Sequence, residues 1–219
     1  MCISAFFPIW DRLSPEVRGH LKDSATRRSV RKNAPLHGGG SDCTGLLLVE
    51  SGRLRVFLLS EDGREITLYR LGPGEVCLFS AGCMIRELRF DLFITAETDA
   101  ALQVIPAEVC QGLMTESVVL SNFIGTILAK RFSQVMERVD QILWQRLDRR
   151  LAAFLLEEAA LRGTDVLSIT HEGISHHLGC AREVVTRLLS EFREEGWVAL
   201  RRGTVELLDR EALSDLGKL

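Results

Sequence analysis

The residues best equipped for chemistry lie close together near the C-terminus. Arg182, Glu183, Thr186 and Arg187 occupy one side of a helical pattern whose other side is Val185, Leu188, Leu189 and Phe192. Two guanidiniums and a carboxylate on an exposed helix suit readout of a DNA major groove. Arginine pairs bidentately with guanine O6 and N7, and glutamate accepts from cytosine N4. Ahead of this helix, Thr170 can cap a shorter one carrying Ile174 and Leu178, and Gly179 supplies a tight turn. The spacing predicts a helix-turn-helix with a reader, although taken in isolation these residues favour an ordinary amphipathic pair with a solvated charged face. The run that follows decides between them. WVALRRGTVELLD reads as two short strands around an Arg-Gly-Thr turn, the form of a wing behind a recognition helix. The predicted DNA contacts are therefore Thr170, Arg182, Glu183, Thr186, Arg187 and Arg201.

Several elements must position this reader. Residues 145–160 predict the first helix of the DNA-binding domain, with Leu147, Leu151, Phe154 and Leu155 as its base and a hinge between Asp140 and Arg146. From Ser117 to Leu143 there is no proline, and Leu128, Phe132, Val135, Val139 and Ile142 alternate by fours and threes as in a coiled-coil seam. A second apolar set, Ile124, Ile127, Met136 and Leu143, is expected to pack on the same chain. The alternative is a helix buried wholly within one chain. A two-fold dimer would place two readers ~34 Å apart and so predicts an inverted-repeat operator.

Between Thr44 and Ala107, GLLLVESG, RLRVFLLS, EITLYRLG, DLFITAE and ALQVIPA alternate with turn signals, which predicts an all-β domain of jelly-roll or barrel type. Glu61-Asp62-Gly63-Arg64 marks a hairpin within it. Before it, Ser14-Pro15 opens a short helix to Asp23 that reads as a lid. Arg27, Arg28, Arg31 and Lys32 read as a solvated strand edge.

Composition sets the limits. The chain has 219 residues, 46% of them hydrophobic, and a net charge of -3, so DNA affinity must come from local clustering of charge. No apolar run approaches the ~20 residues needed to span a bilayer, and MCISAFFPIW lacks the features of a signal peptide, which predicts a cytoplasmic protein with no membrane partner. Cysteines 2, 43, 77, 83, 110 and 180 form no CxxC pair and read as thiols. The roll region holds only His37, with His20 outside it, too few histidines for a metal-dependent cupin enzyme. His171, His176 and His177 read as solvated or phosphate-near, and no metal is expected.

GCAREVVTRLL, RLGPGEVCLF and the order roll, long helix, winged helix resemble the family of the bacterial cyclic AMP receptor protein and the fumarate and nitrate reduction regulator, over nearly the whole chain. The resemblance implies an α+β fold: an antiparallel double-stranded β-roll over 1–116, a dimerisation helix and hinge over 117–145, and a winged helix-turn-helix over 146–219. It implies a homodimeric transcription regulator, not an enzyme, with double-stranded DNA and RNA polymerase as partners. An effector in the roll would act by favouring the DNA-competent state. Arg182, Glu183 and Arg187 match the base readers of one branch; Glu183, Thr186 and Arg187 resemble the Glu, Ser, Arg set of the other. Ala181 departs from the serine that relatives often carry there, which removes one phosphate contact.

The same resemblance places an effector pocket at Gly74, Glu75, Cys77, Cys83 and Phe90. Gly72-Pro73-Gly74-Glu75 is similar to the start of a cyclic-nucleotide phosphate segment, but Phe90 and Asp91 fall where an Arg-Ser pair is expected. An acidic group there would repel phosphate, which argues against cyclic AMP, with Arg86 and Arg89 offering a shifted alignment. Cys2 stands alone at the N-terminus, which argues against an iron-sulfur cluster. Haem, and thiol sensing at Cys77 and Cys83, stay open as signals, with buried core cysteine as the plainer reading. A rival function is a ligand-binding signalling module whose winged helix engages protein.

Overall fold

The computed structural model describes residues 3–38, 44–61, 63–78 and 92–218. Cys2, Cys43, Asp62, Cys83, Arg86, Arg89, Phe90 and Asp91 lie outside the described residues. The chain forms two compact units, 1–59 with 68–136, and 60–67 with 137–219. Among the described residues no single helix is long and apolar enough to cross a membrane.

The first unit carries helix α1 (Pro15–Ser24), then strands β1 (Thr26–Val30), β2 (Pro35–Gly38), β3 (Leu46–Ser51) and β4 (Leu54–Leu59). They are followed by β5 (Glu65–Leu71), whose first three residues belong to the second unit, β6 (Val76–Cys77), β7 (Leu92–Ala96), β8 (Ala100–Ile105), α2 (Ala107–Glu116) and the long α3 (Val118–Trp144), which enters the second unit after Met136. Antiparallel pairing gives sheets in the orders β1-β8-β3-β6 and β2-β7-β4-β5. The five apolar runs of the sequence are β3, β4, β5, β7 and β8; β1, β2 and β6 are additional.

Strand β3 shows why the run LLLV is apolar without alternation. Leu47 and Val49 join a core with Leu36, Leu54, Val56, Leu71, Ile94 and Leu102 from both sheets. Leu46 and Leu48, on the other face, pack with Val17, Leu21, Cys110, Leu113, Leu120 and Ile124 from the helices. A strand covered on both faces needs apolar residues at every position. The same cluster corrects the reading of the N-terminal segment: Val17 and Leu21 are buried in it, so α1 is core and not a lid. Ser14 caps α1 by accepting the Val17 N–H, as its sequence predicts.

Helix α3 corrects the expected seam. Leu120 and Ile124 are buried, Ile127, Leu128 and Val135 pack on the cores of the first unit, and Arg131 is only 2% exposed. Phe132 (65% exposed), Met136, Val139, Ile142 and Leu143 (64%) face outward. Met136 and Leu143, expected to pack on their own chain, are exposed, while Leu128 and Val135, expected in the seam, are partly buried against its cores. Ile124, Leu128, Arg131 and Val135 form one stripe, and Phe132, Met136, Val139 and Leu143 another, about 80° apart around the helix at 3.6 residues per turn. The expected seam runs between the two and takes residues from each, because apolar spacing does not register the buried Arg131.

A buried carboxylate ties three strands of one sheet. Glu50 on β3 accepts from Arg27 Nε at 2.8 Å and from Gln103 Nε2 at 2.6 Å. Arg27, on the edge strand β1, is half-exposed, in keeping with a solvated strand edge. Burial works against ionisation of Glu50, but Arg27 and Gln103 outweigh it and hold its carboxyl below the usual carboxylate range. A carboxylate with a depressed folded pKa contributes stability above its unfolded pKa and loses it as pH falls through the folded value. Thermal melts of the full chain are therefore expected to drop on acidification below pH ~4.5, and Glu50→Gln is expected to lower the melting temperature at pH 7 while flattening that acid limb. An unchanged acid limb in the variant would remove Glu50 from the account.

Candidate nucleic-acid interface

The second unit comprises α4 (Leu147–Arg162), β9 (Val166–Ser168), α5 (His171–Leu178), α6 (Arg182–Glu194), β10 (Val198–Arg201), β11 (Thr204–Leu207) and α7 (Arg210–Lys218). Helix α4 begins two residues later than its sequence pattern suggests, with Arg146 extended at its N-cap, so the helix break falls inside the expected hinge. Leu151, Phe154 and Leu155 of α4 form one core with Ile174, Leu178, Val185, Leu188, Leu189, Phe192, Val198, Val205, Leu207 and Leu213.

Local chemistry sets the geometry of the helix pair. Thr170 is extended at the N-cap of α5 and its Oγ accepts the Gly173 N–H at 3.0 Å. Gly179 ends α5 at φ +70°, a left-handed conformation that glycine adopts without a Cβ penalty, and donates to the Ser175 carbonyl. Arg150 Nη2 on α4 donates to the Leu178 carbonyl at 2.6 Å, satisfying an open acceptor at the end of α5. Ala181 caps α6 without a side-chain hydrogen bond, as its type requires.

The sequence-predicted readers share one exposed face. Arg182, Glu183, Thr186 and Arg187 are exposed, while Val185, Leu188, Leu189 and Phe192 are buried on the other side. Arg187 Nη1 lies 3.3 Å from Glu191 Oε1 one turn on, both well exposed. Such pairs are weak, ~0.3 to 0.5 kcal/mol, and leave the guanidinium available to a base. Thr186 Oγ donates to the Arg182 carbonyl at 3.0 Å.

The wing is the β10–β11 hairpin, paired Val198↔Leu207 to Arg201↔Thr204, with β9 on its far edge. Gly203 at φ +71° makes its turn. Arg201 Nη2 is 3.5 Å from Glu206 Oε2. Between the wing turn, the start of α5 and the start of α6 lies a cleft of about 360 Å³, lined among others by His171, Arg182, Arg201 and Arg202. It brings Thr170, Arg182 and Arg201 together; Glu183, Thr186 and Arg187 stand on the adjoining face of α6. His171 and Arg202 are additions to the expected set. The doubled arginine of the wing was visible in sequence, but nothing in the sequence showed that His171 faces it.

The three histidines of α5 divide. His177 is 4% exposed and its ring lies 4.4 Å from that of Phe154, which corrects the reading of it as solvated. His176 is part-exposed, its Nδ1 3.8 Å from Glu65 Oε2. His171 Nδ1 is 2.9 Å from Thr186 Oγ. Burial, and then the Arg182 guanidinium, hold its pKa below the ordinary 6.5.

The residues expected to line an effector pocket lie in the first unit, as far as they are described. Gly74, at φ +80°, donates to the Val49 carbonyl. Glu75 is already engaged: Oε2 accepts the Gly72 N–H at 3.0 Å, and Oε1 lies 3.1 Å from Lys130 Nζ and 3.2 Å from Arg131 Nη2. The Arg131 guanidinium lies over the Tyr69 ring at 4.8 Å. Burial would raise the Glu75 pKa, but these donors outweigh it and keep the carboxyl ionised below its usual range. Cys77 is fully buried in β6 opposite Leu47, and neither it nor Cys110 or Cys180 is in a disulfide. Burial pushes the Cys110 thiol up to about 11.

Comparison with known proteins agrees with this architecture. Residues 149–216 match a model of the Crp-like helix-turn-helix domain, and residues 27–117 match one of the cyclic nucleotide-binding domain. The cyclic AMP receptor protein of Thermus thermophilus is 28% identical over 209 residues, 95% of this chain and 96% of that protein. The transcriptional regulator SdrP of the same organism is 28% identical over 176 residues, 78% and 82% of the two chains. A crystal structure of a protein from Eubacterium rectale, described as a regulator of the Crp/Fnr family, superposes with a TM-score of 0.96 at 46% identity, covering 98% of this chain and 100% of that one. The chain belongs to the Crp/Fnr family of transcription regulators, with an N-terminal domain of the cyclic nucleotide-binding type and a C-terminal Crp-like helix-turn-helix.

Proposed function

We propose that the chain works as a homodimer that reads an inverted-repeat operator, under the control of an effector held in the roll. The observation that carries this reading is the single exposed face of α6, where Arg182, Glu183, Thr186 and Arg187 stand beside the arginines of the wing. Glu183 and the two α6 arginines offer direct base readout, and the wing arginines Arg201 and Arg202 offer phosphate contacts that set register. For the dimer, the outward stripe Phe132, Met136, Val139 and Leu143 has the four-and-three spacing of a coiled coil, and Ile142 flanks it. RNA polymerase is the further partner that such a regulator would engage.

The effector is read as something other than cyclic AMP. Supporting this, Glu75 is already engaged by three donors of its own chain, from Gly72, Lys130 and Arg131. Haem and a thiol-directed signal are the candidates carried from the sequence; the burial of Cys77 weighs against the second, since a thiolate is disfavoured in an apolar core. An iron-sulfur cluster is not part of the proposal.

The function is tested by fluorescence anisotropy on a duplex with inverted TGTGA-like half-sites against a scrambled duplex, over a salt series. Selective binding whose log affinity falls linearly with log salt is expected; salt-insensitive or absent binding would favour the rival in which the winged helix engages protein. Arg187→Ala is expected to cost ~1 to 3 kcal/mol on the cognate duplex and much less on the scrambled one. Equal losses would make Arg187 a phosphate contact. Phe132→Glu is expected to shift the sedimentation coefficient from dimer to monomer with the circular dichroism of the folded chain retained. A variant that stays dimeric would overturn the assignment of the stripe.

A further inference from the structure

The cleft between α5, α6 and the wing contains a titratable group that the reading of bases does not use. Its charged lining is Arg182 from α6, Arg201 and Arg202 from the wing, and Glu172 from α5, with His171 beside them. Arg201 is near Glu206 as well, at 3.5 Å. Three guanidiniums against one lining carboxylate make an anion seat, and the N-terminal turn of α5 adds backbone N–H groups to it. The anion that a DNA-reading face meets is a backbone phosphate.

His171 is held in that seat by a defined hydrogen-bond chain. When the Thr186 hydroxyl gives its one proton to the Arg182 carbonyl, 3.0 Å away, the 2.9 Å contact with His171 takes Nδ1–H as donor and leaves Nε2 as the basic nitrogen. In the absence of an anion, burial and then the Arg182 guanidinium disfavour an imidazolium there. A phosphate oxyanion reverses that field.

We propose that His171 takes up a proton as a backbone phosphate enters the cleft, so that DNA binding by this chain is proton-linked near neutral pH. The inference rests on the DNA-reading function proposed above. The protonated ring keeps Nδ1–H on Thr186 and presents Nε2–H to the phosphate, which joins the first turn of α5 to the reading face of α6 through one side chain. A mildly acid medium would thereby tighten DNA binding.

The test uses the full chain and a labelled duplex of random sequence at fixed low ionic strength, because a phosphate seat does not need a particular operator. Affinity is measured by anisotropy from pH 8 to pH 5.5 for the wild type and for His171→Asn, whose amide can still donate to Thr186 but does not titrate. The wild-type affinity is expected to rise as pH falls, by up to about tenfold per pH unit for each protomer engaged, and the variant's profile to be flat across the same range. Circular dichroism checks that the variant is folded, and His171→Gln serves as the second neutral substitution if it is not. A flat wild-type profile, or a variant that keeps the rise, overturns the proton linkage and leaves DNA reading intact. No binding to any duplex at any pH overturns both.

Discussion

The reading face of α6 exists because its opposite face is buried. Val185, Leu188, Leu189 and Phe192 lock the helix onto α4, α5 and the strands of the wing, and this fixes both its position and its rotation about its own axis. With that rotation set, Arg182, Glu183, Thr186 and Arg187 have nowhere to point but outward. The turn at Gly179 and the Arg150 hydrogen bond to the Leu178 carbonyl hold the angle between the two helices from either side. A helix with the same polar residues but a poorer apolar face would present them in many orientations, and base readout depends on one.

Electrostatics in this chain are local. The net charge of -3 gives no general attraction to a polyanion, yet Arg182, Arg201 and Arg202 converge on one cleft in the second unit. The neighbouring acids serve the same design. Glu191 and Glu206 lie within reach of Arg187 and Arg201 through exposed pairs, weak enough to be exchanged for nucleic-acid oxygens and close enough to limit where the guanidiniums wander.

In the first unit the contrast between buried and exposed charge is sharper. Arg131 lies inside the packed stripe of α3, with Glu75 and the ring of Tyr69 as its surroundings. Removing one member of a buried pair leaves the other uncompensated, which costs far more than loss of a surface pair. This makes the turn at Gly72–Glu75 and the middle of α3 energetically dependent on each other. Any ligand that draws Glu75 away from Arg131 would have to replace that interaction, a constraint on the chemistry of the effector.

The sequence by itself determined the elements and their kind. The apolar runs from GLLLVESG to ALQVIPA, the proline-free stretch after Ser117, the Thr170 cap, the Gly179 turn and the wing strands around Arg201 and Gly203 all follow from short-range rules, and the structure places each where those rules put it. The polar face of α6 was legible for the same reason: helical period relates residues three and four apart. What only the tertiary structure decided involves residues far apart in the chain. The true sides of α3 depend on Arg131 finding Glu75, 56 positions away, so a charged residue marks the buried stripe and the apolar pattern alone misplaced it. The N-terminal helix became core because Val17 and Leu21 meet α2 and β3, and His177 left solvent because Phe154 of α4 covers it. His171 entered the cleft in the same way, by folding of the wing against the start of α5, 30 residues apart in the case of Arg201. Local periodicity fixes what an element is, but which of its faces is covered depends on partners that no local rule can supply.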